Sequence, residues 1–95
     1  MKVIAYHFWS PTCAPCKAIK PALQDLREEF LNVEWVSVNI QEDPQNLVSK
    51  YAVKIVPTVA VASINESGYP VFVDKHTGTD MMGYYRIFKK ATQPE

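Results

Sequence analysis

Cysteine is scarce: Cys13 and Cys16 are the only two in 95 residues, far too few to staple a small secreted scaffold. A surplus of either charge is also missing, with ten Lys and Arg against ten Asp and Glu. Without a basic excess to neutralise phosphates, nucleic acid is not the expected ligand. Long apolar runs are absent as well. The longest, Ile55–Ile64, is broken by Pro57, Thr58 and Ser63 and falls well short of the roughly 20 residues that span a bilayer. The apolar start Val3–Trp9 is short, contains His7 and runs into the cysteines instead of a small-residue cleavage site, so it does not read as a secretory signal. Repeats, low-complexity tracts and linkers are lacking too. The expectation is a complete, cytoplasmic, monomeric chain with one hydrophobic core, a single domain over residues 1–95.

The hydrophobic share, 47%, is that of an ordinary globular protein. Charge is nevertheless uneven along the chain. Residues 1–22 carry Lys2, Lys17 and Lys20 and no acid, whereas residues 23–47 carry six acids against Arg27. Solvated helix faces account for most such blocks, but both cysteines lie in the acid-free one.

Val3–Trp9, bounded by Ser10-Pro11, has the β-branched and aromatic content of a buried strand. Ile19, Leu23, Leu26 and Phe30 then recur at steps of four, three and four, the stripe of an amphipathic helix beginning at Ala14. Pro21 lies inside this helix, removes a hydrogen bond to the Lys17 carbonyl and should kink it. Val33–Ile40 is a second strand with apolar residues on both faces. Asp43-Pro44 suits an N-cap followed by proline at the first helical position, with Leu47, Val48 and Tyr51 as the apolar stripe of a short helix. Thr58–Ile64 and Tyr69–Val73 flank Asn65-Glu66-Ser67-Gly68, a hairpin signal. Thr79–Ala91 spaces Met81, Tyr84, Tyr85 and Phe88 helically and ends in Lys89 and Lys90, although Gly83 weakens it by about 1 kcal/mol relative to Ala. The order is β-α-β-α-β-β-α. It implies an α/β fold in which a parallel βαβ pair and an antiparallel hairpin share a central four-stranded mixed sheet flanked by helices.

Cys13 and Cys16 fall at the strand-to-helix junction, the crevice that open α/β sheets use for function. Three residues apart on a helix, their sulfurs come to the same side at disulfide-compatible range. Unpaired N–H groups of the first turn favour a thiolate on Cys13, with Lys17 adding charge nearby, while Pro15 fits the helix start. Cys13 would attack a substrate disulfide, and the deeper Cys16 would resolve the mixed disulfide. Three blander readings compete. A structural bridge would close a loop of about four residues and contribute only about 2 kcal/mol. A zinc site needs two further ligands, and His7 and His76 lack finger spacing. Two inert, buried cysteines are the third, against which the exposed Ser10-Pro11-Thr12 junction argues.

The segment Phe8-Trp9-Ser10-Pro11-Thr12-Cys13-Ala14-Pro15-Cys16-Lys17, with Pro21 after it, resembles the active-site stretch of thioredoxins. Tyr51-Ala52-Val53-Lys54-Ile55-Val56-Pro57-Thr58, about 40 residues on, resembles their second signature. The resemblance implies the thioredoxin fold and reduction of protein disulfides, with re-reduction by a thioredoxin reductase or by glutathione. It implies no metal and no cofactor. It makes Cys13 the nucleophile and Cys16 the resolving thiol of a redox disulfide, and puts Trp9, Ala14, Pro15, Val56 and Pro57 against the substrate, with a cis Val56–Pro57 bond.

The sequence departs from the family pattern at several places. Thr12 and Ala14 stand where the family usually has Trp and Gly. His7 stands at the family's buried carboxylate and Ser37 at its lysine partner. His7, with Lys17 as a further tuning group, is therefore expected either to take the Cys16 proton or simply to pack. The chain also begins on the cysteine-bearing strand and has the size of a glutaredoxin. Gly78-Thr79-Asp80 resembles the stretch with which glutaredoxins hold glutathione, or is a helix cap. The alternatives to the thioredoxin-type reading are thus a glutathione-dependent reductase and a non-catalytic interaction subunit.

Overall fold

A computed structural model describes residues 2–93. Four strands and four helices follow in the order β1 (Lys2–Trp9), α1 (Ala14–Ala18), α2 (Lys20–Glu29), β2 (Val33–Asn39), α3 (Leu47–Lys50), β3 (Thr58–Ile64), β4 (Pro70–Thr77) and α4 (Met81–Thr92). The sheet is ordered β2-β1-β3-β4. β1 pairs parallel with β2, from Val3 opposite Val33 to Trp9 opposite Asn39, and antiparallel with β3, from Lys2 opposite Ile64 to Phe8 opposite Thr58. This is the mixed sheet expected from a βαβ unit followed by a hairpin, and the thioredoxin fold.

Strand periodicity divides β1 between two cores. Val3 and Ala5 join Val59 and Val61 of β3 under Leu23 and Leu26 of α2 and Tyr84, Ile87 and Phe88 of α4. Ile4, Tyr6 and Phe8 meet Val38, Ala60 and Ala62 beneath Leu47 and Tyr51 at α3. Helices therefore cover both faces, and each large aliphatic side chain buried there contributes about 1.5–3 kcal/mol. The helical stripe of Ile19, Leu23 and Leu26 is buried as its spacing demands.

Pro21 acts more strongly than a kink. It has no N–H for the Lys17 carbonyl, and the helix divides at Ile19 (φ −88°, ψ −4°) into α1 and α2. Asp43 caps as its side chain suggests, accepting the Leu47 and Val48 N–H groups at 2.9 Å each. Pro44, however, occupies a turn, and α3 starts only after Asn46 at φ 55°. The sequence expectation of Pro44 at the first helical position is corrected here: the carboxylate reaches across an intervening turn to cap from four residues away. β2 ends one residue short of Ile40, and β4 runs on from Val73 to Thr77, with a bulge where Val61 faces Asp74 and Ala62 faces Phe72. The polar run Asp74-Lys75-His76 hid this extension from pattern reading. Gly83 has a positive use: a Cβ there would overlap the His76 ring, so the missing side chain lets α4 settle on β4.

Candidate active site

β1 delivers the chain to the Ser10–Thr12 turn, closed by the Cys13 N–H donating to the Ser10 carbonyl at 3.1 Å. Cys13 is the N-cap of α1, in extended conformation, and Pro15 lies in the first turn, where no donor is missed. The Cys16 N–H donates to Cys13 Sγ at 3.1 Å. Cys13 and Cys16 form a disulfide with Cα atoms 5.3 Å apart. The two ends of the bond differ in access: Cys16 is 2% exposed, whereas Cys13 is half-buried at a rim of exposed Thr12, Ala14, Pro15 and Lys17. This asymmetry is what an attacking and a resolving sulfur require, and no acid in the first turn opposes negative charge on Cys13.

The second signature closes on the first. The Val56–Pro57 peptide bond is cis, and the Val56 carbonyl oxygen lies 3.7 Å from Cys13 Sγ. Ile55 is exposed and Val56 half-buried beside it, while Pro57 is buried. Among the described residues no backbone hydrogen bond engages the Val56 N–H or carbonyl, which leaves both free to pair with an extended peptide. The loop is held from behind. Thr58 Oγ1 donates to the Ile55 carbonyl and lies 2.6 Å from Thr77 Oγ1. The Gly78 N–H donates to the Pro57 carbonyl at 3.0 Å. Tyr84 Oη donates to the Gly78 carbonyl at 2.6 Å and reaches the Pro57 carbonyl at 3.3 Å. Burial is the main cause that raises the Tyr84 phenol to about 12, so it remains a donor. Helical spacing marks Tyr84 only as a core residue. Its anchoring of the Pro57 loop depends on a contact 27 positions away, and local pattern carries no signal for that.

Trp9 ends β1 with its indole turned to β2, where Nε1 donates to Ser37 Oγ at 2.6 Å. His7, two residues earlier on the same face, is 6% exposed, and its Nε2 has no hydrogen-bond partner. Burial, then the Arg27 and Lys20 charges, hold its pKa down to about 4. The imidazole is therefore neutral at pH 7 and a weaker proton acceptor than a free histidine. His7, Trp9 and Ser37 line a cavity with Lys20, Gln24 and Arg27, and neither cysteine lines it. Among the described residues no group of three or more His, Cys, Asp or Glu side chains is placed to hold a metal ion. Asp80, in the stretch likened to a glutathione site, instead accepts the Met82 N–H as the N-cap of α4.

Solved structures share this fold. The thioredoxin of Fasciola hepatica superposes with a TM-score of 0.78 at 23% identity, covering 96% of this chain and 82% of its own. Thioredoxin f2 of Chlamydomonas reinhardtii gives 0.77 at 26%, covering 99% and 82%. Among curated relatives, the Bacillus subtilis thioredoxin is 35% identical over 65 residues, which is 67% of this chain and 62% of that protein. The chloroplastic M-type thioredoxin of Zea mays is 29% identical over 85 residues, 86% of this chain and 50% of that one. The chain thus spans about half the length of the curated relatives it matches. The thioredoxin family model matches residues 1–82. That stretch takes in the cysteine pair, the cis-proline loop and the whole sheet, and the chain belongs to the thioredoxin family.

Proposed function

We propose that the protein is a thiol–disulfide oxidoreductase that reduces protein disulfides through Cys13 and Cys16. The observation that carries this reading is the asymmetric disulfide at the β1–α1 junction, one sulfur at the rim and one 2% exposed, facing a Val56 carbonyl that no backbone N–H engages among the described residues. In the dithiol form, the Cys16 N–H that reaches Cys13 Sγ stabilises a Cys13 thiolate. The thiolate attacks one sulfur of a substrate disulfide. A Cys13–substrate bond forms, the substrate S–S bond breaks and the first substrate thiolate leaves. Cys16 then attacks Cys13 Sγ, releasing the second substrate thiolate and giving the Cys13–Cys16 disulfide. Two electrons pass to the substrate, whose two sulfurs take up two protons. A dithiol reductase of the thioredoxin reductase class, or glutathione, returns the electrons.

An extended substrate segment would lie between Trp9, Ala14 and Pro15 on one side and Val56 and Pro57 on the other, its backbone paired with Val56. His7 is the group proposed to accept a proton from Cys16, against the lowered pKa that its burial imposes. A monomer in the cytoplasm completes the reading, where a reducing poise sustains the dithiol. Reductase and glutathione as donors differ at Gly78–Asp80. There the Gly78 N–H and carbonyl and the Asp80 carboxylate are all engaged within the chain, which favours the reductase. Cys16→Ser decides the activity: it should accumulate mixed disulfides with substrate proteins on Cys13, seen as a mass increase reversed by dithiothreitol. If Cys16→Ser and Cys13→Ser trapped equally little while the folded wild-type protein failed to reduce insulin, the non-catalytic reading would replace this one.

A further inference from the structure

Away from the disulfide, β1, β2 and α2 enclose a cavity of about 270 Å³. Strand register builds its floor: His7 and Ser37 are paired across β1 and β2, and Trp9 follows His7 on the same face. Lys20, Gln24 and Arg27, at steps of four and three along α2, form the opposite wall. His7 lines the floor at 6% exposure, and its Nε2 has no hydrogen-bond partner among the described residues. Ser37 Oγ already accepts the Trp9 indole N–H, so its own proton is left to donate elsewhere. Among the described residues no carboxylate lines the cavity. Among the described residues neither Lys20 nor Arg27 has an ion-pair partner; they lie instead over the Trp9 and Trp35 rings at 6.0 and 4.7 Å. The volume, against about 30 Å³ for a water molecule, admits a tetrahedral ion and several waters.

We infer that this cavity binds a small oxyanion of the sulfate or phosphate type, free or as the end of a small metabolite. The His7 imidazole at the floor, Ser37 Oγ beside it and the Lys20 and Arg27 charges at the mouth supply the donors. The proposal does not rest on the redox reading, since neither cysteine lines the site. The charges facing His7 are Lys20 and Arg27 from α2; β2 contributes the neutral Ser37 and β3 the apolar Val59. Burial first, and then the Arg27 and Lys20 charges, hold His7 deprotonated; a bound anion offsets the charges, so binding favours uptake of a proton. Affinity for sulfate, whose own charge is constant above pH 4, therefore rises as pH falls from 7 to 5.

The test is a titration of the full chain with potassium sulfate against potassium chloride at equal ionic strength, followed by calorimetry and by the His7 imidazole resonances. Saturable sulfate binding that moves the His7 resonances is expected. Lys20→Gln and Arg27→Gln, both at exposed positions, should each weaken it by about three- to tenfold. Parallel titrations with inorganic phosphate and glycerol 3-phosphate separate a free ion from a phosphorylated metabolite by which binds more tightly. The inference is overturned if sulfate acts no differently from chloride, if both variants bind it as the wild type does, or if His7 stays unmoved at saturation.

Discussion

Replacing Gly83 by alanine pits helix propensity against packing, and the structure states which should win. On propensity alone the change should stabilise α4 by about 1 kcal/mol. Yet a Cβ at position 83 would lie closer than 3.0 Å to three atoms of the His76 ring, well inside the 3.5–4.0 Å typical of a van der Waals contact. The ring cannot swing away freely. It is attached to β4, where His76 is paired with Val59, and stands edge-on to Tyr84 with centroids 4.7 Å apart. Overpacking of this kind costs about 1–3 kcal/mol, and the tethered ring argues for the upper part of that range. The net expectation is a loss of about 1–2 kcal/mol, with roughly 4–8 °C in Tm for each kcal/mol in a domain this small. His76→Ala removes the obstacle, so in that background Gly83→Ala should recover the propensity gain of about 1 kcal/mol. Thermal and urea unfolding of the four proteins in this cycle measure a coupling of about 2–3 kcal/mol. A higher Tm for Gly83→Ala in the wild-type background, or a coupling near zero, would refute the reasoning.

Tyr84→Phe deletes the donor to the Gly78 and Pro57 carbonyls. It should cost about 1–2 kcal/mol by urea midpoint and slow reduction of protein disulfides more than reduction of a small disulfide that makes no backbone pairing. His7 makes stability pH-dependent: its folded pKa of about 4 lies below the unfolded 6.5, so the unfolded chain binds the extra proton between those values. Stability should therefore fall as pH drops from about 6.5 to 4, by up to about 3 kcal/mol. Subtracting the profile of His7→Asn from that of the wild type isolates this contribution, and a flat difference would sink it. Asp43→Ala removes the acceptor for two N–H groups of α3 and should lower stability by about 1 kcal/mol, read by chemical denaturation.

Most of the fold was legible because its signals are local. The β-branched run of β1, the four-three-four stripe from Ile19 to Phe30 and the turn at Asn65–Gly68 each declare their element without reference to the rest of the chain. The cysteine pair was legible for the same reason, since three residues at a strand-to-helix junction fix both sulfurs. What escaped depends on distant partners. Pro44 follows Asp43 as a capping rule would have it, but it occupies a turn, across which Asp43 satisfies the helix. Gly83 reads as a flaw in α4 until His76 is seen against it. Tyr84 reads as core until its hydroxyl is found on the Pro57 loop. His7 could be flagged as a proton acceptor or a packing residue, but the two cations near it come from α2, and only the folded chain brings them together.

The sheet order carries a consequence for how the site comes apart. β1, which presents Cys13, is bonded along its length on both sides, so its amides belong with the slowest to exchange with solvent. The Val56–Pro57 loop is fastened differently, through Gly78 and Tyr84 at the start of α4, and β4 is an edge strand interrupted by a bulge. A fluctuation that frees β4 and α4 would release the Val56–Pro57 loop while leaving the sulfurs on their platform. The two halves of the site are thus mounted on unequal supports: the disulfide on the centre of the sheet, and the Val56–Pro57 loop on its margin.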